Sequence, residues 1–473
     1  MKRLLFPALT AAVLLSACSV GPNFKTPAYT GSQDYTGDGE SLTSEQHVAL
    51  GQRIEGEWWT LFASTPLNET IKQAMANNYD VAAAKETLAQ MNEAVRAESG
   101  ALWPTASLAA EVGRQKYGAA LFGPLDFTIP PFTYYEIGPA VAWTPDWSGG
   151  NRRKIERRKA LAEYQQHQLD AAYVALSGHV VAQALVLAAV QAEIDAVEQI
   201  AAEDQKTLDL VNAAFQAGGG IQMDVLAAQS QLANDLALFP ALRQRASVAR
   251  HALAILAGKR PADWTPPNFT LGEFVLPREL PVQLPSEMVR KRPDILASEA
   301  NLHAASAAIG VAVANLYPQL TLSANFLQEA LTPRGLFEAS SAAWASAAHL
   351  TTPLFNGGRL TAEKREAEHA YQAALAQYQQ TILRAFGQVA DALTALQHDA
   401  EAIAAEQKAL DLAAASLDLA RKSYDAGNTG VLPVEDAQRR LTVAKLGLTR
   451  AQSQRYLDTA ILFVALGGTP LTK

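Results

Sequence analysis

The chain has 473 residues, 49% of them hydrophobic and 18% charged, with a formal net charge of −8. The acidic balance argues against a general affinity for nucleic acid. A mean hydropathy near zero does not describe a bundle of membrane helices, and the length allows several domains or one elongated one.

The N-terminus reads as a secretory signal over residues 1–17. Lys2 and Arg3 precede a short apolar run, Leu4–Leu15, which ends in Leu15-Ser16-Ala17-Cys18. Cys18 is the single cysteine, so neither an intramolecular disulfide nor a cysteine metal site can form. The segment resembles a bacterial lipobox, which implies cleavage before Cys18 and lipid on its thiol. An ordinary signal with an unrelated cysteine is the other reading. Beyond residue 18 no uninterrupted apolar run reaches the roughly 18–20 residues that a spanning helix needs. Val180–Ala192 comes nearest, but it holds glutamines and is flanked by His179 and Glu193. A chain that crosses a membrane on these terms does so with β-strands.

Residues 18–65 form an N-terminal anchor and entry segment, and the remainder is duplicated, as repeat 1 (66–260) and repeat 2 (285–468). "NNYDVAAAKETL" (Asn77–Leu88) aligns with "KRPDILASEANL" (Lys291–Leu302). "ALWPTASLAAEV" (Ala101–Val112) aligns with "NLYPQLTLSANF" (Asn315–Phe326). Each repeat opens on a helical segment, about 66–102 and 285–316, halted at an aromatic-Pro pair. Period-two patterns follow: Leu320, Leu322, Ala324 and Phe326 alternate with Thr321, Ser323 and Asn325. Each repeat thus predicts a β-hairpin, about 103–147 and 317–355, with strands long enough to span a bilayer when tilted. Aromatics at the strand ends (Trp103, Trp143, Trp147, Tyr317, Phe355) suit membrane interfaces. Four strands cannot close a barrel, so lipid exposure demands several copies. A soluble four-stranded sheet satisfies the same pattern.

Two Gly-Gly stretches come next, "TPDWSGGNRR" (Thr144–Arg153) and "TTPLFNGGRL" (Thr351–Leu360). Gly149, Gly150, Gly357 and Gly358 read as strand-to-helix hinges, because glycine supplies the dihedrals a swerve needs. The basic cluster Arg152, Arg153, Lys154, Arg157, Arg158 and Lys159 reads as a solvated helix start. Long helices are then predicted over 151–217 and 359–426. Apolar residues recur every seventh position, from Tyr173 through Val180, Leu187, Ile194, Ala201 and Leu208 to Phe215, and in repeat 2 from Leu375 to Tyr424. Such a stripe signals coiled-coil packing, and the first helix extends about 100 Å at 1.5 Å per residue. Return helices follow over 222–257 and 432–466. The Pro-rich stretch 261–284 links the repeats, and 469–473 is a tail. A lipid-anchored coiled-coil tether without a pore is compatible with the helices alone.

Together these features resemble the TolC-like outer membrane efflux proteins, and most closely their NodT-type lipoprotein branch. "CSVGPNFKTP" (Cys18–Pro27), "EWWTLFASTPLNETIKQAMANNYDV" (Glu57–Val81) and "RKRPDILASEANLHAASAAIGVAVANLYPQLTL" (Arg290–Leu322) carry the resemblance. It implies a mainly α protein with transmembrane β, built as a homotrimer whose strands form a twelve-stranded barrel and whose helices form a periplasmic α-barrel. The implied activity is passive export of drugs or other small toxic molecules across the outer membrane. The implied partners are a periplasmic adaptor, an inner-membrane pump of the resistance-nodulation-division class, and outer membrane lipid. A type I protein-secretion conduit shares the fold. The resemblance also places a gate at the two helical turns. Tyr424, Asp436 and Asp224 match gate positions, with a Tyr424–Asp224 contact and a ring of three Asp436 side chains. Thr429 and Pro433 depart from the family pattern, which removes an arginine-based lock. A helix-capping role for Asp224 and a packing role for Tyr424 are compatible with the same residues.

No enzyme is expected. "GGNRRK" lacks the spacing of a phosphate loop, no GxSxG elbow occurs, and the eight histidines show no pair at helical metal spacing. No metal and no cofactor are expected beyond the covalent lipid on Cys18.

Overall fold

The computed structural model describes residues 19–28, 31, 34–35, 46–52, 56–117 and 130–467. Cys18, the signal segment 1–17 and the tail 469–473 lie outside the described residues. In chain order the elements are β1 (His47–Leu50), α1 (Thr65–Asn77), α2 (Tyr79–Ser99), β2 (Thr105–Gln115), β3 (Phe132–Trp143), α3 (Gly150–Gln216), α4 (Gln222–Leu236) and α5 (Phe239–Leu256). Then come β4 (Glu279–Val282), α6 (Pro285–Met288), α7 (Pro293–Ala314), β5 (Gln319–Ala330), β6 (Ala342–Thr351), α8 (Arg359–Asp425) and α9 (Leu432–Ala465).

Two compact units emerge, and neither is one repeat. Of the described residues, those within 19–26, Leu88–Tyr164 and Ser298–Gln377 form the first. Those within Pro27–Thr87, Gln165–Ala297 and 378–467 form the second.

The first unit holds an antiparallel sheet in the order β2-β3-β5-β6. The two predicted hairpins are therefore joined, through β3 and β5, into one sheet. The N-terminal strap Ser19–Thr26 is fixed to the same unit. The Val20 amide donates to the Ser148 carbonyl at 3.1 Å. Gly21, at φ +87°, lies so close to Gly310 that a Cβ there would sit 2.5 Å from its Cα. Arg153 is the main fastener. Its guanidinium donates to the carbonyls of Val20 (3.0 Å) and Gly21 (3.2 Å) and to Asn23 Oδ1 (2.8 Å). The expected solvated basic face is corrected at Arg153 alone, which is only 3% exposed because a guanidinium can satisfy several carbonyls at once; Lys154, Arg157, Arg158 and Lys159 are exposed. Glu156 bonds Arg153 at 2.7 Å and His303 at 3.0 Å, and His303 stacks on Phe24. Burial opposes the charge of Glu156, but these hydrogen bonds prevail and hold its carboxyl below the usual range.

The second unit is a helical body with an aromatic centre. Ser64 Oγ accepts from the Leu67 amide at 3.3 Å and Pro66 starts α1. Asn78 Oδ1 then caps α2 through the Asp80 and Val81 amides at 2.9 and 3.1 Å. The expected single helix over 66–102 is thus two. Trp58 and Trp59 pack edge to face at 6.1 Å, and Trp58 and Phe62 meet Phe463 at 5.7 and 6.3 Å. Phe274, from the Pro-rich linker, meets Phe62 at 6.4 Å. β1 pairs with β4 in parallel, and Gln46 beside it bonds Pro277 O and Thr459 Oγ1. The N-terminal segment, the linker and the last helix thereby share one core. Arg292, from the "RKRPD" stretch, closes it by donating to the Ala465 carbonyl at 2.5 Å and to Gln388 Oε1.

The long helices interleave between repeats. Buried Glu193 of α3 accepts from Arg245 of α5 at 3.1 Å and from Arg450 of α9 at 3.0 Å. Lys445 of α9 donates to Gln199 of α3. The return helix of repeat 1 departs from expectation. It breaks into α4 and α5 at Ala237–Leu238, because Pro240 lacks an amide hydrogen and crowds the preceding turn. A second departure concerns α3, which by length and composition is apolar enough to cross a membrane. Of its most apolar window 61% is buried inside the protein, which is the position of a core helix.

Phe62 is fully buried, while Phe337 is 89% exposed. Phe62→Ala is expected to cost about 3–5 kcal/mol, read as a lower thermal transition of the helical signal. Phe337→Ala is expected to leave that transition in place.

Candidate functional site

Two places can carry function, the sheet of the first unit and the helical turns of the second. The sheet register decides what each face presents. Ala106 lies opposite Val141, Val141 opposite Ala324, and Ala324 opposite Ser346. One face is therefore continuous across four strands and holds Leu108, Val112, Ile137, Val141, Phe326, Trp344 and Leu350, all of them exposed. Burying such a surface in water-free surroundings is favourable by roughly 25 cal/mol per Å². The opposite face is polar. Glu111 faces Glu136, and Glu136 faces Glu329. Tyr134 Oη donates to Glu111 at 2.6 Å. A sheet apolar on one side and polar on the other fits lipid outside and water inside. Among the described residues β2 and β6 are the outer strands, each with an unpaired edge.

Aromatic side chains gather where the strands end. Trp103, Trp143 and Trp147 line a cavity of about 370 Å³ with Asn151 and Lys154. The Trp143 indole donates to the Leu102 carbonyl at 3.0 Å, and Trp147 meets Tyr317 edge to face at 6.5 Å. Here the two Gly-Gly stretches prove unlike. Gly149 is left-handed at φ +79°, whereas Gly150 already belongs to α3. Gly357 and Gly358 are both left-handed, at φ +62° and +84°. Asp146 accepts from the Asn151 and Arg152 amides, both at 2.8 Å. The start of α3 is thus capped from within its own chain.

The helical turns share one geometry. The Gly218 amide donates to Phe215 O and that of Gly219 to Ala214 O, each at 3.0 Å. The Gly427 amide donates to Tyr424 O at 2.8 Å and that of Asn428 to Ser423 O at 3.0 Å. Gly218 and Gly427 are both left-handed, the usual way to end a helix. Tyr424 joins the two hairpins. It packs against the core cluster of Leu208, Val211, Val225, Ala228 and Val431, and also against that of Leu417, Val434 and Ala437.

Asp224 is half-buried in the first turn of α4, where a negative charge favours the helix dipole. Ile221 holds the capping position, so Asp224 is not the cap. Among the described residues no hydrogen bond is recorded between Tyr424 and Asp224, and Tyr424 is held by packing. Asp436 is half-exposed and pairs with Arg440 at 2.7 Å and Arg439 at 3.8 Å on its own helix. It carries its own counter-charge, unlike the bare carboxylate of an acidic ring. Among the described residues no group of three or more His, Cys, Asp or Glu side chains is placed to hold a metal.

The profile described as outer membrane efflux protein matches residues 70–259 and 284–468, once in each repeat. The chain belongs to that family. The efflux protein is 27% identical over 463 residues to nodulation protein T of Rhizobium leguminosarum bv. trifolii, covering 96% of this chain and 95% of that one. It is 28% identical over 471 residues to outer membrane protein OprJ of Pseudomonas aeruginosa, covering 98% and 95%. Among solved structures, the outer-membrane channel OprN superposes with a TM-score of 0.88 at 27% identity, over 95% of this chain and 99% of that one. The open state of the Neisseria gonorrhoeae MtrE channel superposes with a TM-score of 0.81 at 26% identity, over 95% and 98%. This efflux protein is accordingly an outer membrane protein of a family of channels.

The sequence reading missed the buried polar groups near the turns. Asp204, Asp235 and Glu435 are 3%, 6% and 6% exposed. A signal existed. Counting from Tyr173, Asp204 occupies the second core position of its heptad, where Leu176, Val190, Val197 and Val211 stand in four other turns and Gln183 in the fifth.

Tyr424→Ala removes the ring that both hairpins share. It is expected to raise cell entry of large antibiotics that the outer membrane excludes, measured as a lower inhibitory concentration. Tyr424→Phe keeps the ring and is expected to behave as the parent.

Proposed function

We propose that this protein is the outer membrane conduit of a tripartite efflux pump, exporting drugs or other small toxic molecules without doing chemistry on them. The carrying observation is the sheet: one apolar face, one polar face and two unpaired edges. Backbone groups left unpaired in hydrocarbon cost several kcal/mol each, so β2 of one copy pairs with β6 of the next. Three chains of four strands each make twelve, a barrel wide enough for a watery lumen. The polar face with its glutamates lines that lumen. The paired long helices continue the channel in the periplasm, and the turns around Gly218 and Gly427 form its narrow end. A periplasmic adaptor and an inner-membrane pump of the resistance-nodulation-division class load it. Solvent and toluene efflux pumps among the relatives support this class of cargo.

Cys18 carries lipid in this reading. The strap that follows it is fastened at Ser148 and Arg153, next to the aromatic cluster at the strand ends. A lipid anchor there would enter the same leaflet that the tryptophans border.

Ser107→Cys combined with Ala347→Cys, on the outer strands β2 and β6, is expected to give covalent trimers on oxidation and stepwise current in planar bilayers. Monomers that pass no current would sink the conduit. Labelled palmitate is expected to enter the parent and not Cys18→Ser; equal labelling would remove the anchor.

A further inference from the structure

Asp204 on α3 and Asp235 on α4 are both buried and lie within reach of each other, where burial and the neighbouring carboxylate both oppose a charge on Asp204. As a carboxylate, Asp204 leaves its Oδ2 buried without a partner. A proton held between the two side chains supplies the missing bond. Asp235 Oδ2 also accepts from Gln231 Nε2 at 2.9 Å, which fixes its orientation. The neighbouring helices do not neutralise the pair. From α9 comes another acid, Glu435, whose charge Arg439 favours and Asp235 opposes. From α8 comes Arg421, but it is shared with Glu203 at 3.6 Å and Gln438 at 3.3 Å. Glu203 is held in turn by Lys206 at 2.9 Å. Burial first, then the hydrogen bond and charge of Asp235, then the charge of Glu435, push Asp204 up to about 8. Burial pushes Glu435 up as well.

α4 has 15 residues. It is bounded on one side by the left-handed turn at Gly218 and on the other by the break at Ala237–Leu238, with Asp235 in its last turn. We propose that the C-terminal end of α4 is a proton-latched arm: a proton shared by Asp204 and Asp235 clips it to α3, and loss of that proton lets it part from α3 beside the Ala237–Leu238 break, while Val225 and Ala228 keep the first turns in the core they share with Leu208 and Val211. Its effect on the channel rests on the conduit reading; the latch itself does not.

The sign follows from proton binding. A released arm exposes its aspartates to water, where they titrate at about 3.9. The clipped arm keeps its proton up to about 8. Between those values the clipped form binds more protons, so its advantage is full below about pH 4 and declines as pH rises to about 8. The ratio of clipped to released arm falls by up to about tenfold per pH unit in that window. A second pair, Asp399 of α8 and Asp458 of α9, has the same design. Burial and then the charge of Asp458 push Asp399 up to about 7, against Arg455 and His398, and Gln454 bonds Asp458 at 3.1 Å. It serves as an internal reference.

The test uses the full-length protein in lipid bilayers. An infrared titration is expected to show a protonated carboxyl band that disappears near pH 8. Asp204→Asn and Asp235→Asn should each abolish it, while Asp399→Asn should abolish only a band near pH 7. Either of the first two variants suffices if the other fails to fold. Spin labels at Ala202→Cys and Leu236→Cys, both at exposed positions, should show a distance distribution that broadens from pH 6 to 9. The same pair should stay narrow in the Asp204→Asn background, where an amide donates to Asp235 at every pH. A band absent from the parent, or broadening unchanged by Asp204→Asn, overturns the latch. Open probability in planar bilayers should rise with pH in the parent and stay flat in Asp204→Asn; a pH rise retained in Asp204→Asn also overturns the latch. Absence of current at any pH would count against the conduit, while the infrared and label data still decide the latch.

Discussion

The unpaired edges of β2 and β6 set the terms for the rest of the molecule. β3 and β5 are paired on both sides, so their backbone groups are satisfied in any solvent. The outer strands each have a free side, and hydrocarbon offers no water to complete it. A chain that places this sheet in a bilayer therefore needs copies of itself. The apolar face has the same requirement, because its exposed Leu108, Trp344 and Leu350 are favourable only against lipid. The polar face asks for water, where Glu111, Glu136 and Glu329 can stand side by side.

The helical unit solves a different problem with the same duplicated material. α3 is the shared post, since helices from both repeats bond to Glu193 at its side. Its heptad stripe is accordingly buried from Tyr173 to Leu208. The equivalent stripe in α8 is only partly covered, with Leu375, Ile382, Ile403 and Leu410 half-buried. Duplication supplied two similar helices, and their different neighbours made them inequivalent. The two Gly-Gly stretches tell the same story. Gly150 is helical and packed beside Ala314, while Gly357 and Gly358 are both left-handed with open space around them.

Much of the local structure is legible because it rests on local rules. Alternation marks the strands, sevenfold spacing marks the long helices, and glycine ends them. The break in the first return helix was legible too, in Pro240, although the apolar pattern running across it suggests one helix. Other features depend on partners distant in the chain. Arg153 sits in a basic run and reads as a surface residue until residues 20–23 are found wrapped around its guanidinium. Asp436 reads as a free acid, yet Arg439 and Arg440 already face it one helical turn away.

The sequence by itself determined the duplicated grammar, the element types and the likeness to an efflux family, because periodicity and turn chemistry act over a few residues. Only the tertiary structure decided how the two hairpins join into one sheet, which face is apolar across all four strands, and where a proton can be held between helices. Those properties belong to pairs such as Val141 with Ala324, or Asp204 with Asp235. Strand register and helix packing bring such pairs together, and neither residue carries the information alone.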